Sequence, residues 1–220
     1  MCGLYSFRKS ADEARDLTHF IEQLSFPPRE YVTPGSPIGI VRMGFDHQRH
    51  LNLVRWGFVP SWAKEIQPRP LINARSETVY DKPSFKNAIR RRRCLILTDG
   101  FYEWEGDVPG KKRPYYIHRP DNSLFTFAGI WEHWMSADGS ELESAAMLTT
   151  DPNNLIATIH DRSPVVIHPK DYDRWLDGAE EDVRDLLMPP PDDYFAMEPT
   201  VIQRTAPPPK PHKTDQLDLL

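Results

Sequence analysis

The sequence predicts a single α+β domain: an antiparallel or barrel-like mixed β-sheet core with helices at its periphery. Three observations lead there. Short β-branched and aromatic runs, broken by Gly, Pro and Asp, recur through most of the 220 residues. Helical periodicity is confined to a few brief segments. Strands and helices do not alternate regularly, as an all-parallel sheet with helical crossovers would require.

Taken in order, the chain opens with "MCGLYSF" and then "SADEARDLTHFIEQL". In the latter, Ser10 and Glu13 form a capping box, and Leu17, Phe20, Ile21 and Leu24 follow at helical spacing, which predicts an amphipathic helix. "SPIGIVRM" and "HLNLVRWGFVP" read as strands, and "PSFKNAIRR" as a second helix. "CLILTDGFYEWE", "PYYIHR", "LFTFAGIWEHW" and "ESAAMLTT" continue the strand pattern, separated by turn signals such as "DVPGKK" and "SADGS". A further helix is expected after His168 with Pro169 in its first position, and "DVRDLLM" adds a turn or two. The folded domain is assigned to residues 1–200. Residues 206–220, proline-rich and polar, bury too little apolar surface to offset the entropy of ordering and are read as a flexible tail.

Composition narrows the class. The two cysteines, Cys2 and Cys94, and the lack of a leader or of a membrane-spanning apolar run point to a reduced, cytoplasmic protein, nucleoid-associated if the source is bacterial. Cys94 lies in the apolar run "CLILTD", where a free cysteine behaves as a small buried hydrophobe. Without a CxxC pair or an HExxH motif, no metal is expected, and no cofactor is called for. The net charge of −5 is unevenly spread: residues 41–120 hold 16 basic against 8 acidic residues, and residues 121–220 hold 7 against 19. Such asymmetry accompanies nucleic-acid surfaces or acidic tails. The run Arg90 to Arg93 fits a phosphate-binding surface or a solvated helix end equally well.

Four stretches set reactive side chains among apolar ones: "MCG", "PLINARSET", "TDGFYEWE" and "IHDRSP". If Met1 is removed, Cys2 carries a thiol and a primary amine on one framework, with ordinary pKa values of about 8.5 and about 7.7–8.0. Strand alternation puts Glu103 on the face of Phe101, opposite Tyr102 and Trp104. Covered, that face would hold the glutamate protonated as a general acid; uncovered, it would be an ordinary edge residue. His160 is a proton-transfer candidate or a satisfied structural histidine, and Arg162 offers a fork for phosphate. Asn73 can hold a carbonyl or sugar oxygen, or cap a turn, and Arg75 can hold a phosphate. Trp62, beside basic residues, suits base stacking, whereas Trp56 reads as core.

In this order and spacing, "MCG", "WGFVPSW", "INARSET", "TDGFYEW" and "IHDRSPVVI" resemble the SOS-response-associated peptidase family, the abasic-site processing proteins, from Met1 to about Trp175. The resemblance implies an enzyme of the DNA-damage response whose partner is single-stranded DNA containing abasic sites. Its N-terminal cysteine, here Cys2, forms a thiazolidine crosslink with the ring-opened aldehyde. It implies that Glu103 promotes ring opening, that His160 transfers protons and that Asn73 orients the opened sugar. Arg75, Thr149 and Arg162 match DNA-contacting positions, as does Trp62. Members are also described as thiol peptidases that release their own methionine, and AP-lyase-type cleavage belongs to the same expectation. A monomer is expected. The chain departs from the family pattern at Leu4, in place of a phosphate-contacting arginine, at Tyr31, in place of an asparagine, and at Ser163; after Tyr194 it lacks the expected ending. Two other readings stay open: a cysteine peptidase acting on peptides through Cys2 with His160 as base, and a non-covalent single-stranded DNA binder.

Overall fold

The computed structural model describes residues 2–23, 26–106, 108 and 110–202. In chain order the elements are β1 (Tyr5–Phe7), α1 (Ala11–Thr18), β2 (Arg29–Val32), β3 (Pro37–Met43), β4 (Arg49–Trp56), β5 (Asn73–Arg75), α2 (Lys86–Arg91), β6 (Arg93–Thr98), β7 (Gly100–Glu105), β8 (Arg113–His118), β9 (Phe125–Met135) and β10 (Glu141–Thr150). They continue with α3 (Asn154–Ala157), β11 (Ser163–Pro164), β12 (Val166–Ile167), α4 (Tyr172–Asp177) and β13 (Ala196–Pro199).

The strands β10, β4, β3, β6 and β9 pair in that order, and β9 pairs back onto β10, closing a five-stranded barrel. A second, antiparallel sheet runs β13-β8-β7-β1-β2. This is the mixed, barrel-like core with peripheral helices that the sequence predicts. Two pairings are parallel, β10 with β4 and β10 with β5, and both are reached through long connections and not through strand–helix–strand crossovers. β4 and β5 lie end to end along β10: Gly57 N–H reaches Ala145 O at 2.9 Å, and Met147 N–H reaches Ile72 O at 3.0 Å. The intervening residues 57–72 loop outward, pinched by the Phe58–Leu71 bridge.

β6 is buried on both faces, which explains its unbroken apolar run. Cys94 and Ile96 join one core with Cys2, Tyr5, Trp56 and Phe101. Leu95 and Leu97 join another with Ala14, Ile89 and Trp175, where the helices cover the barrel. "CLILTDGFYEWE" is thus two strands in two sheets, with the corner at Asp99 and Gly100. The buried Asp99 carboxylate accepts Ser6 Oγ at 2.7 Å and Arg8 N and Nε at 3.2 and 2.8 Å. Gly100 has to be glycine, because a Cβ there would overlap the Tyr116 hydroxyl.

The first helix keeps its capping box but is shorter than its hydrophobic spacing suggests. Thr18 turns its hydroxyl back to Ala14 O at 2.7 Å, and His19 takes a left-handed conformation at φ 56°. Phe20 and Ile21 therefore lie beyond the helix; Leu24 is outside the described residues, as is the segment 206–220 read as a tail. The second helix forms over Lys86–Arg91. Pro169 opens a 3₁₀ turn that leads into α4, and "DVRDLLM" gives one 3₁₀ turn at Arg184–Leu186.

Three of the four arginines of the run are engaged by contacts within the molecule, although only Arg93 is buried. Arg90 pairs with Glu180 at 2.7 Å, Arg92 with Glu132 at 2.9 Å, and buried Arg93 donates to the Trp175 and Ile89 carbonyls. Arg91 is left exposed at the helix end. Among the described residues no helix is long and apolar enough to cross a membrane.

Replacing Asp99 by Ala removes the acceptor that Ser6 Oγ, Arg8 N and Arg8 Nε share at the corner between the sheets. Thermal or urea unfolding should show a loss of about 2–3 kcal/mol.

Candidate active site

The first residues of the chain enter the fold directly: β1 pairs with β7 through Tyr5 opposite Phe101, and Tyr102 N–H donates to Leu4 O at 2.9 Å. This draws Cys2 into the core, where it is 1% exposed. Its Sγ lies 3.5 Å from Leu4 O, and its carbonyl accepts Asn73 Nδ2 at 3.0 Å. Asn73 is placed by the short parallel pairing of β5 with β10, which sets it opposite Met147.

Glu103 sits in the middle of β7, opposite Tyr115 of β8, and is 3% exposed. The alternation read from the sequence holds: Phe101 packs with Cys2, while Tyr102 and Trp104 pack on the other side with Leu4 and Tyr116. The glutamate therefore lies on a covered face. Desolvation pushes its pKa up from 4.5 to about 7, with the positive charge of the amino terminus the main opposing influence. The thiol of Cys2 is pushed well above its ordinary range, first by burial and then by the charge of Glu103.

His160 follows α3, whose N-terminus is capped by the Asn153 side chain accepting from Ile156 N at 3.0 Å. Its Nε2 is 3.7 Å from Glu103 Oε2, and its Nδ1 accepts Arg162 N–H at 2.9 Å. Burial lowers the histidine's pKa, and the amino-terminal charge adds to that. Acid and base are thus both biased toward their uncharged forms around neutrality, beside an un-ionised thiol. Two polar atoms of β5 and β10, Asn73 Oδ1 and Thr149 Oγ1, are buried without a hydrogen-bond partner among the described residues. A buried acceptor and a buried hydroxyl of this kind suit the hydroxyls of a bound sugar.

The structure brings Cys2, Asn73, Glu103 and His160 together and leaves the remaining residues around them in different states. Trp62 stands on the 57–72 excursion and is 63% exposed, whereas Trp56 is core and donates its Nε1 to Ile72 O at 3.0 Å. Arg75 is exposed at the end of β5. Arg162 is only 11% exposed and its terminal nitrogens are engaged by Glu77, Asp151 and Thr149 O. Glu77 belongs to the polar set of the "INARSET" stretch but has no role legible there, and nothing in the sequence marks its partner 85 positions on. The departures are accommodated by packing. Leu4 fills a cluster with Tyr102 and Tyr116, Tyr31 stacks near Tyr102 at 5.6 Å, and buried Ser163 donates to Pro164 O at 3.2 Å. Among the described residues no His, Cys, Asp and Glu cluster is arranged to hold a metal ion.

A family model described as SOS response associated peptidase (SRAP) matches residues 1–203. The abasic site processing protein YoqW of Bacillus subtilis (strain 168) is 34% identical over 197 residues, covering 86% of this chain and 87% of that protein. The abasic site processing protein HMCES of Gallus gallus is 34% identical over 165 residues, covering 64% of this chain and 49% of that longer protein. Among solved structures, a Bordetella bronchiseptica protein superposes with a TM-score of 0.81 at 26% identity, covering 91% of this chain and all of that one. A Bacteroides thetaiotaomicron protein of the same fold also reaches 0.81, at 23% identity.

The raised pKa of Glu103 has a consequence for stability. Between 4.5 and about 7 the folded state holds a proton that the unfolded chain releases, so the stability this group contributes is present at low pH and lost as pH rises through that window. Glu103→Gln removes the titration. Chemical unfolding should show the variant gaining on wild type between pH 5 and pH 8, by on the order of 3 kcal/mol.

Proposed function

The chain belongs to the SOS response associated peptidase (SRAP) family, and on that footing we propose that it captures abasic sites in single-stranded DNA as a covalent adduct on Cys2. The observation that carries this reading is the convergence, among buried residues, of Cys2 with a carboxyl whose pKa is raised to about 7. The names of the relatives, abasic site processing proteins, support DNA bearing abasic sites as the partner.

The chemistry follows from the groups present. An abasic sugar is mainly a closed hemiacetal, and a protonated Glu103 supplies the general acid that its ring oxygen needs to open to the aldehyde. Once Met1 has been removed, the Cys2 amine adds to the aldehyde carbon, and the resulting carbinolamine loses water to give an imine. The Cys2 sulfur then bonds to the same carbon, its proton passing to the nitrogen, and a five-membered thiazolidine closes. No oxidant or external reductant is needed. His160, neutral and beside Glu103, accepts and returns the protons that these steps move. Asn73 holds the Cys2 carbonyl, while its Oδ1 and Thr149 Oγ1 offer partners to the sugar hydroxyls. Exposed Trp62 supplies a face for an unstacked base, and exposed Arg75 neutralises a phosphate. Release of Met1 by the same residues, strand cleavage, a cytoplasmic setting and action as a monomer belong to this proposal.

A peptidase acting on peptides through Cys2 fits the electrostatics less well. Such enzymes lower the thiol pKa with an adjacent histidine. Here the thiol is raised, by burial and by the charge of Glu103.

Protein verified by mass to begin at Cys2, incubated with single-stranded DNA carrying one abasic site, should give a band that survives a denaturing gel. Cys2→Ala should give none. A wild-type protein that binds this DNA but leaves no denaturation-resistant product would overturn the proposal. Glu103→Gln should slow adduct formation about 100-fold near pH 6, and the gap to wild type should shrink as pH rises through about 7 and wild type loses its acid proton.

A further inference from the structure

Glu77 has no part in the chemistry just described, yet its carboxylate makes a two-pronged ion pair within reach of the site. Its Oε1 and Oε2 accept Arg162 Nη1 and Nη2 at 2.8 and 2.9 Å. The same guanidinium donates to Thr149 O at 2.8 Å and to exposed Asp151 at 3.1 Å. A parallel fork of this kind fixes the plane and position of the arginine, where a single contact would leave it free to rotate. Ser76 N–H also donates to Thr149 O at 2.8 Å, so the loop carrying Glu77 is itself anchored to β10. The Arg162 side chain therefore holds its own backbone against a rigid strand.

That backbone sets the imidazole. Arg162 N–H points into His160 Nδ1 at 2.9 Å, which requires Nδ1 to be the unprotonated nitrogen of the neutral ring and leaves the proton on Nε2, the nitrogen facing Glu103. Two acceptors would favour the opposite tautomer, since Arg162 O and Asp161 Oδ1 each lie 3.2 Å from Nδ1. The charged groups acting on the ring are Glu103, Asp161, Lys112 and the amino terminus. A small shift of the Arg162 backbone would let Nδ1 donate to one of those acceptors and take the proton away from the Glu103 side.

We infer that Glu77 is a positioning residue for His160: by clamping Arg162 it keeps the Arg162 N–H on Nδ1 and the imidazole proton on Nε2, directed at Glu103. For its effect on the reaction the inference rests on the function proposed above; for its effect on the ring it does not. The clamp also gives Arg162 a task besides the DNA contact that family resemblance implies for it.

The test is nitrogen and carbon NMR of the His160 ring at pH 8, together with adduct kinetics, on wild type, Glu77→Ala and Glu77→Gln. Wild type should show the Nε2-protonated tautomer. Glu77→Ala should move the ring resonances toward the averaged values of a free imidazole, and Glu77→Gln, which keeps one acceptor oxygen, should fall between. Adduct formation by Glu77→Ala should slow about tenfold with DNA affinity changed less than about twofold. Ring resonances unchanged from wild type in a variant with a native amide spectrum would overturn the inference. Should Glu77→Ala fail to fold, Glu77→Gln decides by the same resonances. A wild type that forms no adduct sinks the proposed function, while the tautomer measurement still decides the role of Glu77.

Discussion

Everything in this site depends on keeping water away from one carboxyl group. A glutamate at the surface would be ionised near neutral pH and could protonate nothing; Glu103 retains its proton because β7 turns it toward a face that the chain's own first residues cover. That cover exists because β1 runs beside β7, and β7 lies there because the chain bends sharply at Asp99 and Gly100 as it leaves the barrel. The buried Asp99 carboxylate holds the bend by gripping Ser6 and Arg8, residues of the same N-terminal segment. The corner and the nucleophile are therefore fixed by one set of contacts.

The electrostatic setting suits amine and aldehyde chemistry better than thiolate chemistry. Burial and the neighbouring carboxylate both disfavour ionised Cys2, and burial disfavours cationic His160. What remains is a carboxyl and an imidazole biased toward their uncharged forms, beside an un-ionised thiol. Such an arrangement protects a buried cysteine from adventitious oxidation, since the thiolate is the reactive form.

The fold class was legible because strand-type runs and the missing strand–helix alternation are local properties. The face assignment of Glu103 was legible for the same reason, since a period of two needs only the neighbouring residues. Other features were not. The first helix stops at Thr18 because a hydroxyl turns back onto the backbone and His19 adopts a left-handed conformation, competing effects that the apolar spacing beyond it conceals. The parallel pairings of β10 arise from the path of long loops, on which local pattern is silent. The arginine run, open in sequence to a phosphate surface or a solvated helix end, proved to be mixed: Arg90 and Arg91 are exposed, Arg90 within an ion pair, Arg92 is half-buried against Glu132 and Arg93 is buried. The Glu77–Arg162 clamp joins loops far apart in the chain, and neither residue alone reveals the other.

The most direct test of this account is to follow the side-chain carboxyl carbon of Glu103 by NMR as pH is varied, in the chain that retains Met1. The account predicts a midpoint near 7. A midpoint near the ordinary 4.5 would mean that water or a compensating charge reaches the carboxyl. It would then be ionised at neutral pH, contradicting the role proposed for it as the acid that opens the sugar.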